Sequence, residues 1–186
     1  MIVLMSAFLL LSAFSCGGGN KANSTSEQGE KTVVNVPQFD ADSAYLYVKN
    51  QVDFGPRVPN TKEHVACGNY LAGQLEAFGA QVTNQYADLI AYDGTLLKAR
   101  NIIGSYKPES KKRIALFAHW DTRPWADNDP DEKNHKTPIL GANDGASGVG
   151  ALLEIARLVN QQQPELGIDI ILLDAEDYDA PQFYTV

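Results

Sequence analysis

Cysteine is scarce in this chain: Cys16 and Cys67 are the two it has in 186 residues. That is too few for a disulfide framework. Basic clusters are missing as well. Lys and Arg number 15 against 23 Asp and Glu, a formal charge of -8, and without a concentrated cationic footprint nothing neutralises a phosphate backbone. Nucleic acid is therefore excluded as a partner. No apolar run approaches the roughly 20 residues that a spanning helix needs, which excludes a multi-span membrane protein. Nor is there an internal repeat. What the chain does contain, 44% hydrophobic and 20% charged residues, is the balance of an ordinary packed protein, and its length suits one domain.

Met1–Ser15, MIVLMSAFLLLSAFS, is an unbroken run of apolar and small residues. It is too short for a mature span and suited to a signal-peptide core. Residues 16–32, CGGGNKANSTSEQGEKT, are Gly-rich and polar and read as a flexible tether. The order of apolar core, Ser15, Cys16 and linker resembles the signal of bacterial lipoproteins, which implies a lipid on Cys16 and an anchor in a bacterial membrane. A plain secretory signal with an incidental cysteine is the other reading. Both take the protein out of the cytoplasm, lipid-anchored, periplasmic or secreted.

Residues 33–186 alternate helical and extended patterns. Asp40 to Val52 carries Ala44, Tyr45, Val48 and Val52 at helical spacing, with Asp40 and Ser43 as caps. After the break FGPRVPNT, a second helix runs from Thr61 to Phe78 with Val65, Leu71, Leu75 and Phe78 on its inner face, and Gly79 stops it. Cys67 on this helix is expected to be a small buried residue. Gln81 to Tyr92 and Leu96 to Tyr106 flank Asp93-Gly94, a hairpin signal. Arg113–Ala118 and Ile168–Leu173 are strand-length apolar runs separated by an amphipathic helix, Ser147 to Val159. Strand, helix, strand with largely apolar strands predicts a parallel pair covered on both faces. The fold class is therefore α/β, a three-layer sandwich with a mixed, mostly parallel sheet.

Chemistry-bearing residues gather where the predicted strands end, and in open α/β sheets that is where ligands bind. His119 and Asp121 follow the first apolar strand in AHWDTRPWAD. Asp174, Glu176 and Asp177 follow the second in LLDAEDYD, and Asp144 stands in GANDGASG before the helix between them. Carboxylates this dense repel one another unless a cation neutralises them, and zinc accepts imidazole and carboxylate. Each residue alone has a plainer reading. His119 could be a hydrogen-bonded core histidine, Asp144 a helix N-cap, the acids after Leu173 a solvated face, and Trp120 and Trp125 packing. His64 and His135 have no partners at ligand spacing and are given no role.

Taken together, His119-Trp120-Asp121, Gly141-Ala142-Asn143-Asp144 and Glu176-Asp177 resemble the metallopeptidase family 28 superfamily of zinc aminopeptidases. The wording AHWDTRPWADNDP, PILGANDGASG and LLDAEDY is closest to its glutaminyl-peptide cyclotransferase branch. This resemblance implies that Asp144 and Asp177 bind zinc and that Glu176 is the general acid/base. It implies a reaction in which the N-terminal glutamine of a peptide or protein closes to pyroglutamate with loss of ammonia. His119 and Asp121 would be a ligand and its orienting partner in a two-zinc peptidase; with one zinc they would support the site without binding metal. Trp120 and Trp125 become candidate walls of the glutamine pocket. The superfamily's last zinc ligand is a histidine far downstream, and no histidine follows Asp177 here, so the sequence is read as the N-terminal portion of the catalytic domain. An aminopeptidase on the same scaffold, and a non-catalytic surface binding protein or inactive fragment, are the competing readings.

Overall fold

A computed structural model describes residues 35–181. The signal sequence, Cys16 and the tether to residue 32 lie outside the described residues. Helix α1, Ala41–Val52, begins where Asp40 accepts the amide hydrogens of Asp42 and Ser43, an N-cap of the expected kind. Its buried side is Ala44, Tyr47, Val48 and Gln51, spaced i, i+3, i+4, i+7, while Tyr45 is 72% exposed. Helix α2, Lys62–Ala77, is capped by Thr61 and ends before Gly79, whose φ of 79° an L side chain rarely adopts. Its buried stripe is His64, Cys67, Gly68, Leu71, Ala72 and Leu75. Val65, assigned inward from its apolarity, points outward, since at about 100° per residue it lies some 120° around the helix from Leu71.

Strands β1, Gln81–Ile90, and β2, Leu96–Tyr106, form the antiparallel hairpin. Strand β3, Arg113–His119, crosses through α3, Ala146–Gln161, to β4, Gly167–Leu173, and the two strands pair in parallel with Leu116 opposite Ile170. The sheet order is β1-β2-β4-β3, with β2 antiparallel to β4. One of the three described pairings is therefore parallel, fewer than a mostly parallel sheet requires. The reason is connectivity: a tight turn joins β1 to β2, and only the helical crossover can return the chain parallel.

Helices α2 and α3 cover one face, where Leu71, Leu75, Val149 and Leu153 meet Ile102, Ile170 and Leu172. Burying each such side chain contributes about 1.5 to 3 kcal/mol. Helix α1 packs on α3 at Gly150, where a Cβ would come within 2.6 Å of Val48. On the opposite face of the sheet, Ile103, Ile171 and Leu173 are half-buried and Phe117 is 59% exposed. The described residues thus supply two of the three expected layers. Strands β3 and β4 end together, so the segments after His119 and Leu173 and the turn before α3 converge at one edge.

Candidate active site

The turn before α3 is built on Gly141, φ 56°, and Gly145, φ 92°. At Gly145 a Cβ would stand 2.7 Å from the Asp121 carbonyl oxygen, and at Gly141 one would stand 2.6 Å from that of Asp144. Both positions therefore require glycine. Gly145 occupies the N-cap of α3 and supplies no side-chain cap. Asp144 is thereby released from the capping role, and its carboxylate, 64% exposed, reaches His119 Nε2 at 2.9 Å.

His119 lies among three carboxylates. Asp144 faces Nε2, and Nδ1 has Asp121 at 3.5 Å and Glu176 at 3.7 Å. Asp121 foremost, with Glu176 and Asp144, pushes the imidazole up to about 9 against the cost of burial. Asp177 is 9% exposed, and burial together with the charges of Asp144 and Asp121 raises its carboxyl to about 6. Its Oδ2 is buried without a hydrogen-bond partner among the described residues. A buried, unpartnered carboxylate oxygen beside further negative charge is what a bound cation relieves. The pair Asp144 and Asp177 therefore fits zinc as two of its ligands, although no group of three His, Cys, Asp or Glu at metal-binding spacing occurs among the described residues.

Asp121, fully buried, has a structural duty that its sequence position does not reveal. Its two oxygens accept the amide hydrogens of Glu176 at 3.2 Å and Asp177 at 3.1 Å, so the segment bearing both acids hangs from the end of β3. Glu176 keeps its side chain 61% exposed. Arg123 grips Asp127 with two hydrogen bonds and stands 3.6 Å from Asp177. Trp125 donates to the Asp179 carbonyl and packs edge-on against Tyr92 and Tyr178. It lines a cavity of about 270 Å³ together with Arg123, Ile139 and Asp144.

Two sequence assignments change. Trp120 is fully buried, stacked on His64 at 4.3 Å with its Nε1 donating to the Arg100 carbonyl, so it cannot wall a pocket. His64, given no role, is 3% exposed and faces both oxygens of Asp174. Arg57 was also overlooked. Its buried guanidinium donates to the carbonyls of Trp120, Leu140 and Gly141, which ties the HWD segment to the Asp144 turn. FGPRVP offers a break signal but nothing that marks its arginine as a core cation.

Known proteins are similar to this chain in sequence and fold. Residues 101–181 match the model of Peptidase family M28. A glutaminyl cyclase of Bacteroides thetaiotaomicron, solved bound to N-acetylhistamine, is 95% identical, with a TM-score of 0.80 over 81% of this chain and 51% of its own. A structure described as a leucine aminopeptidase precursor of the same species is also 95% identical, TM-score 0.81, over 82% of this chain and 52% of that one. A Zn-dependent exopeptidase of Parabacteroides distasonis is 65% identical, TM-score 0.79, over 80% and 51%. The chain spans about half the length of each of these structures. The family model lies over β3, the Asp144 turn, α3, β4 and the Glu176-Asp177 pair, so the part of this chain that carries the candidate site is similar to peptidase family M28.

Proposed function

We propose that this chain carries the reacting residues of a zinc-assisted glutaminyl-peptide cyclotransferase. One observation carries the reading: exposed Glu176 stands next to buried Asp177, whose Oδ2 has no hydrogen-bond partner among the described residues, and 3.7 Å from His119, at an edge that Asp144 shares. The 95% identity to a glutaminyl cyclase supports it.

In the proposed reaction the substrate's own α-amine attacks its glutamine side-chain carbonyl. The new carbon–nitrogen bond closes the ring and the carbon–NH2 bond breaks. Glu176 takes the amine proton and returns it to the leaving nitrogen, which departs as ammonia. Asp144 and Asp177 would hold zinc, which when bound polarises that carbonyl. Asp121 fixes the backbone of Glu176, and the charge on His119 opposes the carboxylates around it. Trp125, Ile139 and Arg123 border the space for the substrate's N-terminal residue. The substrate is a peptide or protein with N-terminal glutamine.

The full-length gene product is to be assayed on a peptide with N-terminal glutamine and on leucine amide. Ammonia and pyroglutamate from the first are expected, with a loss of about 100- to 10,000-fold in Glu176→Gln. Free leucine without pyroglutamate would favour the aminopeptidase reading, which the leucine aminopeptidase precursor structure represents. Neither product, with no zinc bound, would favour a binding protein. For the exported N-terminus, Cys16 is proposed to carry the lipid; labelled fatty acid should enter the protein and be lost in Cys16→Ser, and secretion of an unlabelled chain would rule the anchor out.

A further inference from the structure

We propose that His64 is a positioning residue for the segment Ala175-Glu176-Asp177, acting through Asp174. His64 lies on α2 and touches neither Glu176 nor Asp144. Its Nε2 faces Asp174 Oδ1 at 2.9 Å and Oδ2 at 2.8 Å; with two acceptors before one ring nitrogen, Nε2 carries the hydrogen. The same carboxylate accepts the Arg100 amide hydrogen at 2.6 Å and the Ala175 amide hydrogen at 2.8 Å. The Asp174 amide in turn donates to the Asn101 side chain at 2.9 Å. Asp174 is thus gripped from α2 and β2 at once, in a setting with little water.

What it grips next is the strained residue. Ala175 has φ 59°, a left-handed conformation that a β-carbon makes unfavourable and that surrounding bonds must enforce. The bond from Ala175 N–H to Asp174 is the one that holds the chain at the start of this bend. After it, the next two amides both turn to Asp121. The segment carrying the proposed acid/base and a proposed zinc ligand therefore hangs between two buried carboxylates, and His64 fixes one of them.

The arrangement closes on itself. Trp120, the neighbour of Asp121, stacks on the His64 ring with planes 17° apart, and its Nε1 donates to the carbonyl of Arg100, whose amide serves Asp174. Gly68, one turn beyond His64, lets the indole approach: a Cβ there would lie 3.0 Å from the Trp120 ring. The Asp174 suspension of the 175–177 segment is thus referred to one imidazole–indole stack, whose Trp120 immediately precedes Asp121 in the chain.

The inference rests on the cyclotransferase reading only for which substrate is turned over. The test compares His64→Phe, which keeps a ring on Trp120 but has no donor, with His64→Gln, which restores an N–H near the Nε2 position. Hydrogen exchange at the amides of residues 175–177 is read on the folded protein, and kcat and KM on the full-length gene product. In His64→Phe, exchange at 175–177 should rise about tenfold or more while the amides of 102–106 and 168–172 hold. The value of kcat should fall about 10- to 100-fold with KM nearly unchanged, and His64→Gln should recover most of both. Should His64→Phe fail to fold, His64→Met gives the same comparison with His64→Gln, because it keeps an apolar side chain of similar reach and has no donor. Exchange that rises evenly through α2 and the sheet, or that stays unchanged at 175–177, overturns the proposal. The exchange result stands even if leucine amide proves to be the substrate, so the failure of one reading is separable from that of the other.

Discussion

Arg57 donates from NH2 to the carbonyl of Gly141 at 2.9 Å, and the same guanidinium reaches Leu140 and Trp120. This cation is fully buried and has no carboxylate within ion-pair distance among the described residues. Burial lowers its pKa, and the surrounding carbonyl dipoles are what keep the charge tolerable. Lysine carries its donors on one nitrogen, where Arg57 sends Nε, Nη1 and Nη2 separately to the Trp120, Leu140 and Gly141 carbonyls. Arg57→Lys is expected to lose about 3 kcal/mol, the scale of a broken buried charged network, or roughly 6 to 12 °C in thermal unfolding. Zinc affinity measured by titration should fall with it, because the Asp144 turn loses its tie. An unchanged melting temperature would refute this account.

Much of the fold was legible because it follows from local chemistry. The Asp40 cap, the Asp93-Gly94 turn and the apolar strands announce themselves in runs of a few residues. Asp144, Glu176 and Asp177 were legible as charge density that needs an explanation. The duties of Asp121, His64 and Arg57 were not, because each depends on what lies opposite across a long sequence separation. His64 and Asp174 are 110 residues apart. Apolarity also misled where it was read without the helical angle: Val65 and Tyr45 face out, and His64 and Gln51 occupy the buried stripes.

Asp121 offers a sharper test of the segment it suspends. An asparagine has one acceptor oxygen where two amides wait, and its NH2 group would face an N–H. Asp121→Asn should therefore leave one of the Glu176 and Asp177 amides unpaired. Turnover is expected to fall about 10- to 100-fold, as for other residues that orient a site from behind. Circular dichroism should show the fold intact. A variant with full activity would show that those two hydrogen bonds do not set the position of Glu176.

Cys67 separates packing from reactivity. It is fully buried on α2 beside the stack of His64 and Trp120, and burial pushes its thiol up to about 12, with Arg57 only partly offsetting this. The thiolate is the reactive form, so at pH 8 almost none is present. A mass shift with iodoacetamide should appear at Cys67 only in denaturant. Rapid modification of the native protein would contradict the burial of this helix face.

The Arg113–Asp169 pair ties β3 to β4 on the open face of the sheet, and it makes stability depend on pH in a direction that can be derived. Arg113 Nε and NH2 meet the two Asp169 oxygens at 2.7 and 2.6 Å, and Ser105 donates to the same carboxylate. Arg113 foremost, then Ser105, lowers the Asp169 pKa below the ordinary carboxylate value. The folded state thus binds that proton less readily than the unfolded chain does, so the stabilisation is complete above the unfolded pKa near 4 and drains away as pH falls through the lower folded value. Asp169→Asn should therefore unfold at lower urea than the parent at pH 7, and the gap should shrink as pH drops from about 5 toward 2. A gap that is constant with pH, or wider in acid, would mean that charge pairing is not what this contact contributes.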